Sequence, residues 1–101
     1  MNIIDFSAYR DKLGQLIEGK AEADYLPVTA PILAQYLAGY VPADDDTDGK
    51  VCLTSSELVY IMEDVCQFTT SEIALVMNYL GYRLSGDCER GPAWVMAPVV
   101  N

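Results

Sequence analysis

The chain has 101 residues, 51% of them apolar, which is enough for one hydrophobic core and too little for two. Six Lys and Arg against fifteen Asp and Glu leave a net charge of −9, a field that repels phosphate backbones and disfavours nonspecific nucleic-acid binding. With no His, the usual Ser-His and Cys-His nucleophile pairs and His-based metal sites are excluded.

In chain order, Ser7 is positioned to cap a first helix whose apolar positions Tyr9, Leu13, Leu16 and Ile17 follow the 3.6-residue period, with Gly19 as its stop. Residues 21–28 read as a linker ending in Leu26-Pro27. Thr29 then caps a second helix with Pro31 in its first turn and Ile32, Leu33, Tyr36, Leu37 and Tyr40 on one side, closed by Gly39 and Pro42. An acidic loop from Asp44 to Gly49 leads into a short strand, Val51-Cys52-Leu53.

Two near-identical segments follow, Thr54-Ser55-Ser56-Glu57-Leu58 and Thr69-Thr70-Ser71-Glu72-Ile73. Each matches the capping box, in which a Thr oxygen and a Glu carboxylate satisfy backbone N–H groups at a helix start. The first opens a helix over 55–65 with Leu58, Ile61, Met62 and Val65 facing the core. The second opens a helix over 70–80 with Ile73, Val76, Met77 and Leu80 in the same roles. Only Cys66-Gln67-Phe68 and the cap separate them. Gly81 suits a left-handed C-terminal cap, and Tyr82-Arg83-Leu84 and Ala93-Trp94-Val95-Met96 read as hairpin strands around residues 85–91. Cys52, Cys66 and Cys88 are odd in number and lack any C-x-x-C pairing. No disulfide framework or zinc site is expected from them, and Cys52 and Cys66 are read as small core residues.

The order helix, strand, helix, tight turn, helix, hairpin over residues 29–98 resembles a winged helix-turn-helix domain, and the Leu80-Gly81-Tyr82-Arg83 and Arg90-Gly91-Pro92-Ala93-Trp94 ending is similar to wings in bacterial regulators and in phage or plasmid replication proteins. The resemblance implies a mainly α fold with a small β-wing, residues 1–28 adding an N-terminal helix and linker to a winged-helix body at 29–101. It also implies a recognition helix in the DNA major groove and a wing over the phosphate backbone, roles that map onto helix 70–80 and wing 83–92. The DNA-contact candidates on those elements are Thr70, Ser71, Asn78, Arg83 and Arg90, with Lys50 as a further phosphate contact.

These residues fit DNA poorly. Helix 70–80 contains no Lys or Arg, Asn78 alone offers the usual bidentate base reading, and Asp87 and Glu89 oppose the cations of the wing by pairing with Arg83 and Arg90. Of the charge, 3 − 5 = −2 lies in residues 1–40 and 3 − 10 = −7 in residues 41–101, so the wing-bearing part is the more acidic. Leu75 and Tyr79, one turn apart on the outward face, suit a protein contact. The expected function is therefore non-enzymatic: an interaction module acting on a protein partner or on a second copy as a homodimer, in a regulatory or replication setting. Sequence-specific DNA binding is the alternative.

Asp44, Asp46, Asp48, Gly49 and Val51 fall at positions 1, 3, 5, 6 and 8 of an EF-hand loop, but position 12 is Ser55 where a bidentate Glu belongs. Those Asp are the weak calcium candidates and give a third reading, calcium-dependent interaction, against a plain solvated acidic turn. No phosphate-cradling glycine motif is present and no cofactor is expected. No apolar run approaches the ~20 residues that span a bilayer, and the Met1-Asn2-Ile3 start has no basic leader, so a cytoplasmic protein without a membrane partner is expected.

Overall fold

The computed structural model describes residues 6–86, 88 and 91–99. Among these residues, four helices, α1 (Phe6–Ile17), α2 (Ala30–Leu37), α3 (Ser55–Met62) and α4 (Thr70–Leu80), pack with four strands, β1 (Tyr40–Pro42), β2 (Val51–Leu53), β3 (Arg83–Ser85) and β4 (Ala93–Pro98). The class is mixed α/β rather than mainly α. The difference comes from β4, which extends to Pro98, and from β1, which occupies residues read in sequence as the end of the second helix.

Among the described residues all strand pairings are antiparallel and all use β4. On one edge β2 places Leu53 opposite Trp94. On the other edge β3 and β1 lie end to end, Leu84 opposite Trp94 and Val41 opposite Ala97. A strand flanked on both edges and covered on both faces has no exposed side, and Ala93, Trp94, Val95 and Met96 are accordingly all buried. Trp94 satisfies its indole N–H by donating to Ser55 Oγ at 2.9 Å, which ties β4 to the first turn of α3.

Both capping boxes form. Thr54 and Thr69 accept from the amides of Glu57 and Glu72, and each Glu carboxylate accepts in return from the Thr amide, over 2.9–3.1 Å. Gly81 ends α4 at φ 92°, a left-handed value that a side chain would strain. Ser7 lies within α1 rather than capping it, and Thr29 makes no side-chain cap bond because its backbone is already helical at φ −85°, ψ −2°. Pro31 sits in the first turn of α2.

The core joins Tyr9, Leu13 and Leu16 of α1 to Leu33 and Leu37 of α2, Leu58 and Met62 of α3, Ile73, Val76, Met77 and Leu80 of α4, and Trp94 and Met96 of β4. Ile61 and Val65, expected to join this face, are 39% and 70% exposed. Helix α3 has only eight residues, and its buried stripe is the i, i+4 pair Leu58 and Met62. Ile61 sits 100° around the helix from Met62, and Val65 falls beyond the helix end in a turn whose amide returns to Met62 O.

A buried tyrosine pair fastens α1 to the rest. The Tyr9 hydroxyl lies 3.1 Å from Leu37 O, 2.9 Å from Tyr40 O and 2.6 Å from the Tyr82 hydroxyl, and the two rings meet edge to face at 5.6 Å. Carbonyls only accept, so Tyr9 donates to them and Tyr82 donates to Tyr9. Burial raises the pKa of both phenols. Donation to Tyr9 raises Tyr82 further, whereas acceptance from Tyr82 pulls Tyr9 partly back. Burial, followed by a hydrogen bond with Tyr40, pushes Tyr36 up to about 12.

Met77→Asp should abolish cooperative unfolding, because an unpaired charge in a core this small costs several kcal/mol, while Ile61→Asp should change stability by no more than about 1 kcal/mol. Denaturant titration followed by circular dichroism reads both. Tyr9→Phe should cost about 1–3 kcal/mol, since it strands the buried Tyr82 hydroxyl and two carbonyls, whereas Tyr82→Phe leaves Tyr9 with its carbonyl partners and should cost about 1 kcal/mol. Because folding raises these phenol pKa values, their stabilisation is fully present below the unfolded tyrosine value of about 10. It is lost as pH rises from there toward the folded values, since the unfolded chain then binds fewer protons than the folded one. Melting temperature should therefore fall above about pH 10, less steeply in Tyr82→Phe.

Candidate interaction surface

Helix α4 is held by its inner face, and the same periodicity sets what it shows outward. Ile73, Val76, Met77 and Leu80 are buried, while Ser71, Leu75 and Asn78, at i, i+4 and i+7, form an exposed row with Thr70 at its start. Leu75 is 38% exposed, and no cation lies anywhere on the helix. Tyr79 departs from expectation. It is half-buried under α1, with Lys12 Nζ 5.4 Å from its ring centroid and 3.4 Å from its carbonyl oxygen. Leu75 therefore anchors the apolar part of the row alone, and Tyr79 belongs to the contact between α1 and α4.

The phosphate-contact candidates separate in the same way. Lys50 is committed to its own loop, its ammonium donating to Asp45 O at 2.7 Å and standing 3.9 Å from Asp45 Oδ1. Arg83 is exposed on β3, and Arg90 with its acidic neighbours Asp87 and Glu89 lies outside the described residues. The described outward side thus combines one arginine on a short strand with a helix that has none.

In the acidic loop, Asp44 Oδ1 accepts from Asp46 N at 3.1 Å and from Thr47 Oγ1 at 2.9 Å, while Asp44 N donates to Thr47 Oγ1 at 3.2 Å. These bonds make an Asx turn in which the first candidate carboxylate serves its own backbone. Asp46 and Asp48 are exposed. Among the described residues no three His, Cys, Asp or Glu side chains are grouped to hold a metal ion.

The cysteine reading is overturned at Cys52, which is bonded to Cys88 across 36 positions, while Cys66 is free, half-buried and packed against the core. The bond runs from β2 to the loop between β3 and β4, so it pins the tip of the hairpin to the opposite edge of the sheet. An odd cysteine count says nothing about which two meet. Here β4 brings β2 and the hairpin together, and only that tertiary pairing identifies the partners.

A second exposed feature lies where α3 and α4 meet. Tyr60 is 76% exposed and borders an open groove of about 460 Å³ formed by Ser56, Val59, Tyr60, Glu63, Gln67, Phe68 and Thr69, where the end of α3 meets the start of α4. Tyr60 lies off the Leu58 and Met62 stripe, so its exposure was open to periodicity, whereas the groove depends on how the turn packs.

No family model, curated protein sequence or solved structure matches the chain.

Reduction should cost stability through the unfolded chain, which regains the entropy of a loop closed across 36 positions, about 3–4 kcal/mol. Melting with and without a phosphine reductant measures this, and Cys88→Ser should melt alike in both conditions and match the reduced wild type.

Proposed function

We propose that this protein is a winged helix-turn-helix module whose working surface is a protein contact rather than a nucleic-acid groove. Helix α4 with its preceding turn takes the recognition-helix position and the β3–β4 hairpin the wing, and the element order and the central position of β4 support that assignment. The observation that carries the functional reading is the outward row of α4, where Ser71, Leu75 and Asn78 present an apolar anchor between small polar groups and no cation. The buried centre of a protein contact is depleted in charge and built on apolar side chains, with polar groups around it. Duplex binding instead requires several cations that neutralise phosphates, and Lys50 is already held by Asp45.

The module acts by binding, as a homodimer or on another protein, and no reaction is assigned to it. Among the described residues no helix is long and apolar enough to cross a membrane. We place the module in the cytoplasm, where cellular thiols would hold the Cys52–Cys88 pair reduced; an oxidising compartment would close it.

Light scattering across a concentration series, paired with a mobility-shift assay on random duplex, tests the reading. The wild type should give no duplex complex at moderate salt. Self-association, or capture by a purified partner, should weaken about tenfold in Leu75→Ser, the effect of losing about 1.4 kcal/mol at an interface anchor. Duplex binding that falls steeply with salt and is lost in Arg83→Ala would assign DNA recognition instead.

A further inference from the structure

The groove at the junction of α3 and α4 has a chemical character that names its occupant. Phe68, buried, and Val59, half-buried, supply apolar surface, Tyr60 projects at the border, and Glu63, Gln67, Ser56 and Thr69 complete the lining. Residues 51–82, which contain both helices and the turn, carry no Lys or Arg and four acids, Glu57, Glu63, Asp64 and Glu72. Glu63 lines the groove and Asp64 follows it, both exposed, just beyond the C-terminal end of α3, where the helix dipole adds partial negative charge. The opposing positive end of α4 also opens here through Thr69, but the Glu72 carboxylate closes back onto the Thr69 amide and offsets it.

A groove that mixes apolar and polar walls, with the Glu63 carboxylate in its lining, Asp64 beside it and no cation in residues 51–82, complements a helix that has an apolar stripe beside lysines or arginines. It repels a second copy of this chain, whose net charge is −9, and it repels nucleic acid. We infer that the Phe68–Tyr60 groove docks a cationic amphipathic helix of a partner protein, with an aliphatic side chain over Phe68 and Val59 and a lysine or arginine against Glu63. This inference rests on the protein-contact reading and adds to it a second surface, distinct from the Leu75 row, together with the partner's chemistry.

The probe is a synthetic 18-residue Leu/Lys peptide with an amphipathic helical pattern, measured by fluorescence anisotropy at about physiological ionic strength. A Leu/Glu peptide of the same pattern and a Leu/Lys peptide scrambled to remove the stripe serve as comparisons. Only the patterned Leu/Lys peptide should bind. Its affinity should fall about tenfold in Tyr60→Ser and in Glu63→Lys, roughly the loss of one interface anchor each, with circular dichroism unchanged because both side chains are exposed. Asp11→Lys makes the same charge change on α1, away from the groove lining, and should shift affinity less than twofold. Equal weakening by Asp11→Lys and Glu63→Lys would reduce the attraction to net charge and overturn the inference, as would binding of the scrambled peptide or no binding at all. Leu75→Ser in the same assay separates the two claims. If self-association responds to Leu75→Ser while the peptide is ignored, the groove inference alone fails. Salt-sensitive duplex binding would remove the reading beneath it.

Discussion

Two phenol hydroxyls 2.6 Å apart, buried beneath the carbonyls that end α2, set how the pieces of this chain sit together. Tyr9 comes from α1, its acceptors are Leu37 O and Tyr40 O at the passage from α2 to β1, and Tyr82 follows α4 at the entry to β3. Without Tyr9, the buried Tyr82 hydroxyl would lose its hydrogen-bond partner. The network fixes where α1 crosses the body, and α1 in turn covers Tyr79 through Lys12. With that flank of α4 closed, the Ser71, Leu75 and Asn78 row remains exposed.

β4 plays the matching part on the sheet side. Its residues 93–98 hold β2 on one edge and β3 with β1 on the other, and Trp94 reaches across to Ser55 at the start of α3. When oxidised, the Cys52–Cys88 pair adds a covalent tie between the two sides of the same strand. The hairpin, β2 and the first turn of α3 are therefore mechanically linked, and the junction of α3 with α4 inherits a defined geometry. The two surfaces proposed for partners, the α4 row and the Phe68–Tyr60 groove, lie on elements anchored in this way. Their lack of cations is a property of the sequence, but their placement is a property of these ties.

What was legible in the sequence was local. Thr54 with Glu57 and Thr69 with Glu72 start their helices through bonds three residues apart, and Gly81 ends α4 through its own backbone conformation, so residues within one turn carried those assignments. The Leu58, Met62, Ile73, Val76, Met77 and Leu80 faces followed from period alone. Features that depend on distant partners were not legible. β1 is three residues long and exists because Pro98, Ala97 and Met96 lie opposite it. Tyr9 and Tyr82 are 73 positions apart, and Cys52 meets Cys88 only because β4 folds between them. Val65 joins the core only if the helix pattern runs past the point where α3 stops, and Ile61 only if the buried stripe is wider than the Leu58 and Met62 pair that packs inward. Of the candidate site, the outward row of α4 was readable, while the cover over Tyr79, the capture of Lys50 by Asp45 and the groove under Tyr60 required the packed chain.

Amide hydrogen exchange resolved along the chain tests the central claim that α1 belongs to the same cooperative unit as α4. The Tyr9 network requires the interior amides of α1 around Leu13 to open with nearly the same free energy as those of α4 around Met77, and Tyr9→Phe to lower the α1 value first. Exchange of α1 amides at the rate of an unfolded chain while α4 stays protected would contradict it.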